Sequence, residues 1–207
     1  MKKLIAAVLL MMLLSTACHA IALNDSVAVM DFGTHPGAVP IDINVMNAGA
    51  AAGEYVTAQL IKSGKLDVVD RTLVEETIQS EGLKTVGLVD PDSARRIGEL
   101  LNVRYIIYGN VNDVTLSNVG ATVLSSGVTV CTVQAHLILR LMDVTSGDII
   151  GASKGEGKSK SSFVRISGGP IATLEIGRAK VTQDSVHNVI EQSALQATKI
   201  LLDRLGL

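Results

Sequence analysis

Hydrophobic positions along the chain switch between two periods, and the switch points outline an α/β fold. Val27-Ala28-Val29-Met30-Asp31-Phe32 is a nearly continuous apolar run closed by Gly33, the pattern of a buried strand. A loop over residues 34–43 follows, punctuated by Pro36, Gly37 and Pro40. Val45, Ala48, Ala52, Val56 and Leu60 then recur at helical spacing until Gly64. Leu66–Val69 reads as a short strand. Thr72, with Glu75 three residues on, has the form of a capping box and predicts a helix stopped by Gly82. Asp90-Pro91 predicts the start of another, burying Ala94, Ile97 and Leu101. Val103–Tyr108 predicts a strand ended by Gly109. Strand, helix, strand, helix, helix, strand is an α/β order.

The second half changes character. Residues 111–133 are rich in Val, Thr, Ser and Gly with alternating stretches, and Val133–Val144 continue as a strong strand. Asp143–Asp148 is a turn leading into Ile149-Ile150 and a return strand. Residues 154–169 are polar. Asp184 opens a long terminal helix with Val186, Val189, Ile190, Ala194, Ala197 and Leu201 on one face. The expectation is a single α/β domain: a mixed sheet flanked by helices, antiparallel strands in its second half and a C-terminal helix.

The N-terminus has a different purpose. Lys2 and Lys3 precede an apolar run, Leu4–Leu14, and small residues follow through Ala22. Those are the parts of a secretory signal peptide, and the run is shorter than the roughly 20 residues a spanning helix needs. Two cleavage routes are open. Ala20-Ile21-Ala22 suits ordinary signal peptidase, whereas Leu14-Ser15-Thr16-Ala17-Cys18 resembles a lipobox that would make Cys18 a lipidated N-terminus. The expected division is signal 1–22 and domain 23–207, with the protein in the periplasm or at the outer membrane. Mass spectrometry of the mature N-terminus separates the routes: a diacylglyceryl mass on Cys18 marks anchoring, an N-terminus at Leu23 plain cleavage. Cys18→Ala is expected to alter localisation only in the first case.

Composition narrows function mainly by exclusion. Acidic residues number 20 and basic 18, two of the latter in the signal, so nothing suggests a nucleic-acid partner. With no Trp, two Phe and three Tyr, stacking platforms are few. Downstream of Cys18 only Cys131 remains, which excludes an intramolecular disulfide and reads as a packed residue. Gly155-Glu156-Gly157-Lys158-Ser159 approaches the end of a phosphate-binding loop, but Ala152 stands where its first Gly belongs. A flexible polar turn is the expectation there. His35, His136 and His187 have no metal-ligand spacing, and no Gly-x-Ser-x-Gly elbow or Cys–His pair is present. Neither catalysis nor a cofactor nor a metal is expected.

Residues 113–133 raise a membrane question. Barrel strands alternate apolar and polar side chains over about 9–11 residues. Val114, Leu116, Leu124, Val128 and Val130 are expected on one alternating face, with Asn118, Gly120, Thr122 and Ser126 interrupting it. A second candidate hairpin, 156–182, carries Arg165, Glu175 and Arg178.

Several segments resemble the family of the curli production assembly/transport component CsgG. They are Val27–Phe32, Ser63–Arg71, Ala94–Leu101, Val103–Val111 and Leu139–Ile150, in order along most of the chain. The resemblance implies a periplasmic α/β domain that, in the family's best-known member, assembles as a ring at the outer membrane. There each protomer adds two β-hairpins to a shared barrel that secretes amyloid subunits, and 113–133 and 156–182 occupy the corresponding places. A loop in that family lines the channel constriction; its counterpart here, about 34–47, offers Asn44 and Asn47 and no aromatic residue. The functions this implies are a non-catalytic, oligomeric component of envelope secretion, or a soluble or lipid-tethered adaptor that binds another envelope or secreted protein.

Overall fold

The computed structural model describes residues 25–35, 48–82, 90–123, 126–167, 173–177 and 183–207. Its strands are β1 (Ser26–Val29), β2 (Gly33–Thr34), β3 (Asp67–Val68), β4 (Tyr105–Val123), β5 (Ser126–Asp143), β6 (Ile149–Ser167) and β7 (Thr173–Gly177). They form one sheet in the order β3-β1-β4-β5-β6-β7, with β2 also pairing β4. β1 runs parallel to β3 and β4, and everything from β4 onward is antiparallel. Four helices pack on it: α1 (Ala48–Ser63), α2 (Arg71–Ser80), α3 (Pro91–Leu100) and α4 (Gln183–Leu205). This is the mixed, helix-flanked sheet with a C-terminal helix that the periodicities predict.

Two cores lie on opposite faces. Val27, Val29, Tyr105, Ile107, Leu137, Leu139 and Leu141 meet the buried stripes of α1 and α4. On the other face Ala28, Met30, Ile106, Tyr108 and Met142 meet Val74 and Ile78 of α2 and Ala94 and Ile97 of α3. Alternation along each central strand feeds both cores, because successive side chains point to opposite faces. In α4 every residue of the expected stripe is buried, and each large aliphatic there contributes about 1.5–3 kcal/mol relative to exposure. Cys131 is buried, as a packed thiol should be.

Four local expectations need correction. The first strand breaks after Val29, and Gly33 opens β2 instead of closing the run, because the chain resumes beside β4. Gly109 does not end a strand either. A Cβ there would lie 2.2 Å from the Ile138 carbonyl oxygen and 2.8 Å from the Phe32 ring, so the glycine admits a close approach inside β4. Gly155–Ser159 are not a flexible polar turn but lie inside β6, which runs from Ile149 to Ser167. Gly155 and Gly157 sit where the α4 backbone comes down onto that strand.

The cap of α2 also differs from the Thr72/Glu75 box. Asp70 precedes the helix and accepts the Thr72 amide at 2.7 Å, while Glu75 turns toward Arg71. Asp90 caps α3 as expected, accepting the Ser93 amide at 2.9 Å, with Pro91 in the first turn. Hydrogen bonds from Thr72 hold the Asp70 carboxyl below the ordinary carboxylate range, and hydrogen bonds from Ser93 do the same for Asp90. A depressed folded-state value stabilises the fold above the ordinary carboxylate pKa, and that contribution is lost as pH falls through the folded value. Asp90→Ala is expected to cost about 1 kcal/mol at neutral pH in urea unfolding. The difference from the native chain should shrink as the pH is taken below the ordinary carboxylate value.

Candidate interaction surface

The helices cover only part of the long strands. β4, with 19 residues, spans about 60 Å at 3.4 Å per residue, far more than α1 or α4 shields. Beyond Val111 and Leu137, β4 and β5 run on as a hairpin arm, joined by the distal half of β6 and by β7. No Asp, Glu, Lys or Arg occurs between Asp113 and Arg140, so Asp113 is the one carboxylate on the β4–β5 arm, which has no Lys or Arg. Sequence reasoning places hairpins at 113–133 and 156–182, and β4–β5 and β6–β7 stand there.

Face assignment along the arm departs from expectation. The pairing register shifts between Val111 and Asp113, a bulge that inverts which β4 residues face α1 and α4. Val114 and Leu116 then share the helix-side face with Cys131 and Val133, while Val128 and Val130 lie on the opposite, open face with Val119 and Ala121. β4 ends at Val123 opposite Ser126 of β5, so even positions of β4 face the same side as odd positions of β5 and a single alternating stripe does not form; Leu124 lies outside the described residues. Val119 is 69% exposed and Val128 45%.

The arm has unequal edges. β2 pairs with β4 only as far as Val111, and β4 beyond it has no partner on that side among the described residues. The β6 edge near the core is closed by α4 side chains. Gln196 Oε1 accepts the Glu156 amide at 2.6 Å, Gln192 Oε1 accepts the Lys158 amide at 3.1 Å, and Arg204 donates to the Ala152 carbonyl at 2.6 Å. Side chains one and two turns apart on a helix thus occupy hydrogen-bonding groups that an edge strand would otherwise expose. Past them β7 pairs with Phe163–Ser167 and forms the outer edge.

A polar row crosses the open face where the arm leaves the core. His136 Nδ1 lies 2.9 Å from both Asp113 carboxylate oxygens, and its Nε2 is 3.5 Å from Glu156, which also pairs with Lys154 at 3.0 Å. The Lys154 ammonium, more than His136, holds the Glu156 carboxyl below its usual range. Sequence spacing cannot reveal this row, because strand register creates it. Among the described residues no group of His, Cys, Asp and Glu is arranged to hold a metal. No described helix is long and apolar enough to cross a membrane, which leaves strand crossing untouched. Cys18, Asn44 and Asn47 lie outside the described residues.

The family profile of the curli production assembly/transport component CsgG matches residues 15–205. Among curated proteins none matches significantly. The C-terminal domain of LpoB from Salmonella enterica is similar at 19% identity, over 67% of this chain and 85% of that one, with a TM-score of 0.46. The lipoprotein GNA1162 from Neisseria meningitidis is 18% identical over 66% of this chain and 83% of its own, also at 0.46. A PelC dodecamer from Paraburkholderia phytofirmans is 18% identical, covering 90% of this chain and 93% of the PelC chain, with a TM-score of 0.41. The profile match spans nearly the whole chain, and the chain belongs to the CsgG family.

Proposed function

We propose that this CsgG-family chain is an exported, non-catalytic component of envelope assembly and secretion that works by edge-to-edge association of its arm. The observation that carries the reading is a pair of unlike edges with no strand partner among the described residues: β4 beyond Val111 on one side of the arm and β7 on the other. Pairing the β4 edge of one copy with the β7 edge of the next is a head-to-tail contact, which repeats until a ring closes. The closed β6 edge supports this division, since α4 leaves only the distal arm able to pair. The signal at 1–22 supports assembly beyond the inner membrane. Curli-like subunits are the cargo class the family description suggests for such a ring.

A tethered adaptor docking on another envelope protein is the second reading, and the faces of the arm favour it over a spanning pore. On the open face the apolar residues Val119, Ala121, Val128, Val130 and Val164 cluster toward the tip. Thr115, Ser117, Thr132, Gln134, Lys158 and Lys160 occupy the same face nearer the core. From Val119 to the end of β4 the rise is about 14 Å, against the roughly 25 Å lipid-facing band of an outer-membrane barrel. Carbonate washing of envelopes followed by sizing tests both readings. A carbonate-soluble monomer would rule out edge-to-edge association, and a carbonate-resistant ring would overturn the adaptor.

A further inference from the structure

Tyr108, Asn110 and Arg140 stand together at the border between the helix-covered part of the open face and the bare arm. Tyr108 and Asn110 are alternate residues of β4 and so project to one face. Arg140 of β5 is directly opposite Tyr108, and Ile138 is opposite Asn110. Tyr108 is 2% exposed and Asn110 8%, yet the Tyr108 hydroxyl and the Asn110 Oδ1 have no hydrogen-bond partner. Such orphans are uncommon in folded proteins, and two on one face at successive positions are a concentration that calls for a ligand. Arg140 adds a charged group that no described residue pairs. The described arginines Arg71, Arg95, Arg96 and Arg104 each pair with a carboxylate and Arg204 binds a carbonyl, whereas Arg140 makes no ion pair or hydrogen bond among the described residues. Arg140 is partly exposed, as is Ile138, so the guanidinium is the member of the block nearest solvent, while the tyrosine hydroxyl and the Asn110 oxygen are buried behind it.

We infer that Tyr108, Asn110 and Arg140 form a binding site for the free C-terminal carboxylate of a peptide. The three groups specify complementary chemistry. A guanidinium fork takes a carboxylate in two parallel hydrogen bonds, and the tyrosine hydroxyl can donate to the same anion. Asn110 Oδ1 can only accept, so the ligand must also bring an N–H close to its carboxylate. The last residue of a peptide carries both groups on one carbon, and capture of this end is an established mode of peptide recognition. An anion with no N–H or O–H of its own, such as sulfate, would satisfy Arg140 but leave the Asn110 oxygen orphaned. Beyond Arg140 the face continues into His136, Asp113, Glu156 and Lys154, polar groups over which the rest of an extended peptide can lie. The site belongs to each single chain and does not depend on the assembly reading.

The test is calorimetric titration of the purified mature protein with N-acetyl-alanyl-alanine, the same peptide amidated at its C-terminus, and an amidated peptide with one internal Asp. The free acid is expected to bind saturably. Amidation, or Arg140→Gln, should weaken binding by about ten-fold or more, because either removes one partner of the two-pronged charge-assisted pair. Tyr108→Phe should weaken binding while leaving the melting temperature of the unliganded protein unchanged or higher, since its hydroxyl has no partner to lose. Arg140→Lys keeps the charge but not the fork and should fall between native and Gln, which covers the case of a poorly folding Gln variant. Equal binding of acid and amide, equal binding of the internal Asp peptide, no binding at all, or unchanged affinity in both Arg140 variants would each overturn the assignment. None of these results depends on whether the protein forms a ring.

Discussion

Gly155→Val and Gly157→Val are each expected to destabilise the protein by about 3 kcal/mol or more, at the upper end of the range for overpacked positions. A Cβ on Gly155 would lie 1.8 Å from the Ser193 carbonyl oxygen and 2.9 Å from the Ala197 amide. One on Gly157 would lie 1.8 Å from the Val189 carbonyl oxygen. The obstructing atoms are helix backbone, so no rotamer change relieves the contact. α4 would have to lift from β6, uncovering Val186, Val189, Ile190 and Ala194, and the Gln192 and Gln196 bonds that close the β6 edge would break. Urea unfolding followed by far-ultraviolet circular dichroism gives the loss directly. Gly120→Ala is the control. It lies exposed on the arm, where a Cβ would come 3.1 Å from the movable Thr129 hydroxyl, and it should change stability by less than about 1 kcal/mol.

Asn118→Pro carries the second large effect, on assembly and not on folding. The Glu156 and Lys158 amides point out of the sheet to α4, so Glu156 and His136 form a non-hydrogen-bonded pair. His136 therefore exchanges its bonds with Asp113, and by alternation the amides of Leu116, Asn118 and Gly120 point to the free edge. A proline at 118 removes an amide that the intramolecular ladder does not use, which is where edge strands tolerate it. It also blocks any strand that would pair there. The variant is expected to keep a near-native urea midpoint while its oligomer falls to monomer by size-exclusion chromatography with light scattering. A folded variant of unchanged mass would show that the β4 edge is not the contact.

The sequence made some parts of this fold legible and concealed others for identifiable reasons. The stripe from Val186 to Leu201 is readable because one helix face supplies its whole pattern, and every expected member is buried. The Asp90-Pro91 start is equally local. Gly109, Gly155 and Gly157 mislead because a glycine that ends an element and one that admits a neighbour's backbone look alike in one dimension. The arm's faces do not follow one alternating stripe because β4 and β5 pair from Val123↔Ser126, which sets even positions of β4 opposite odd positions of β5. Of the functional surface, the hairpin positions could be read from alternation and turn residues. The Asp113–His136–Glu156 row and the Tyr108–Asn110–Arg140 block could not, since both arise from cross-strand register between segments far apart in the chain.

The central claim is association through unlike edges, and the mass of the native protein in gently solubilised envelope extracts tests it most directly. A head-to-tail contact repeats until a ring closes, so mass photometry should return one discrete species of several chains. A monomer, or a symmetric dimer that survives dilution, would contradict the account.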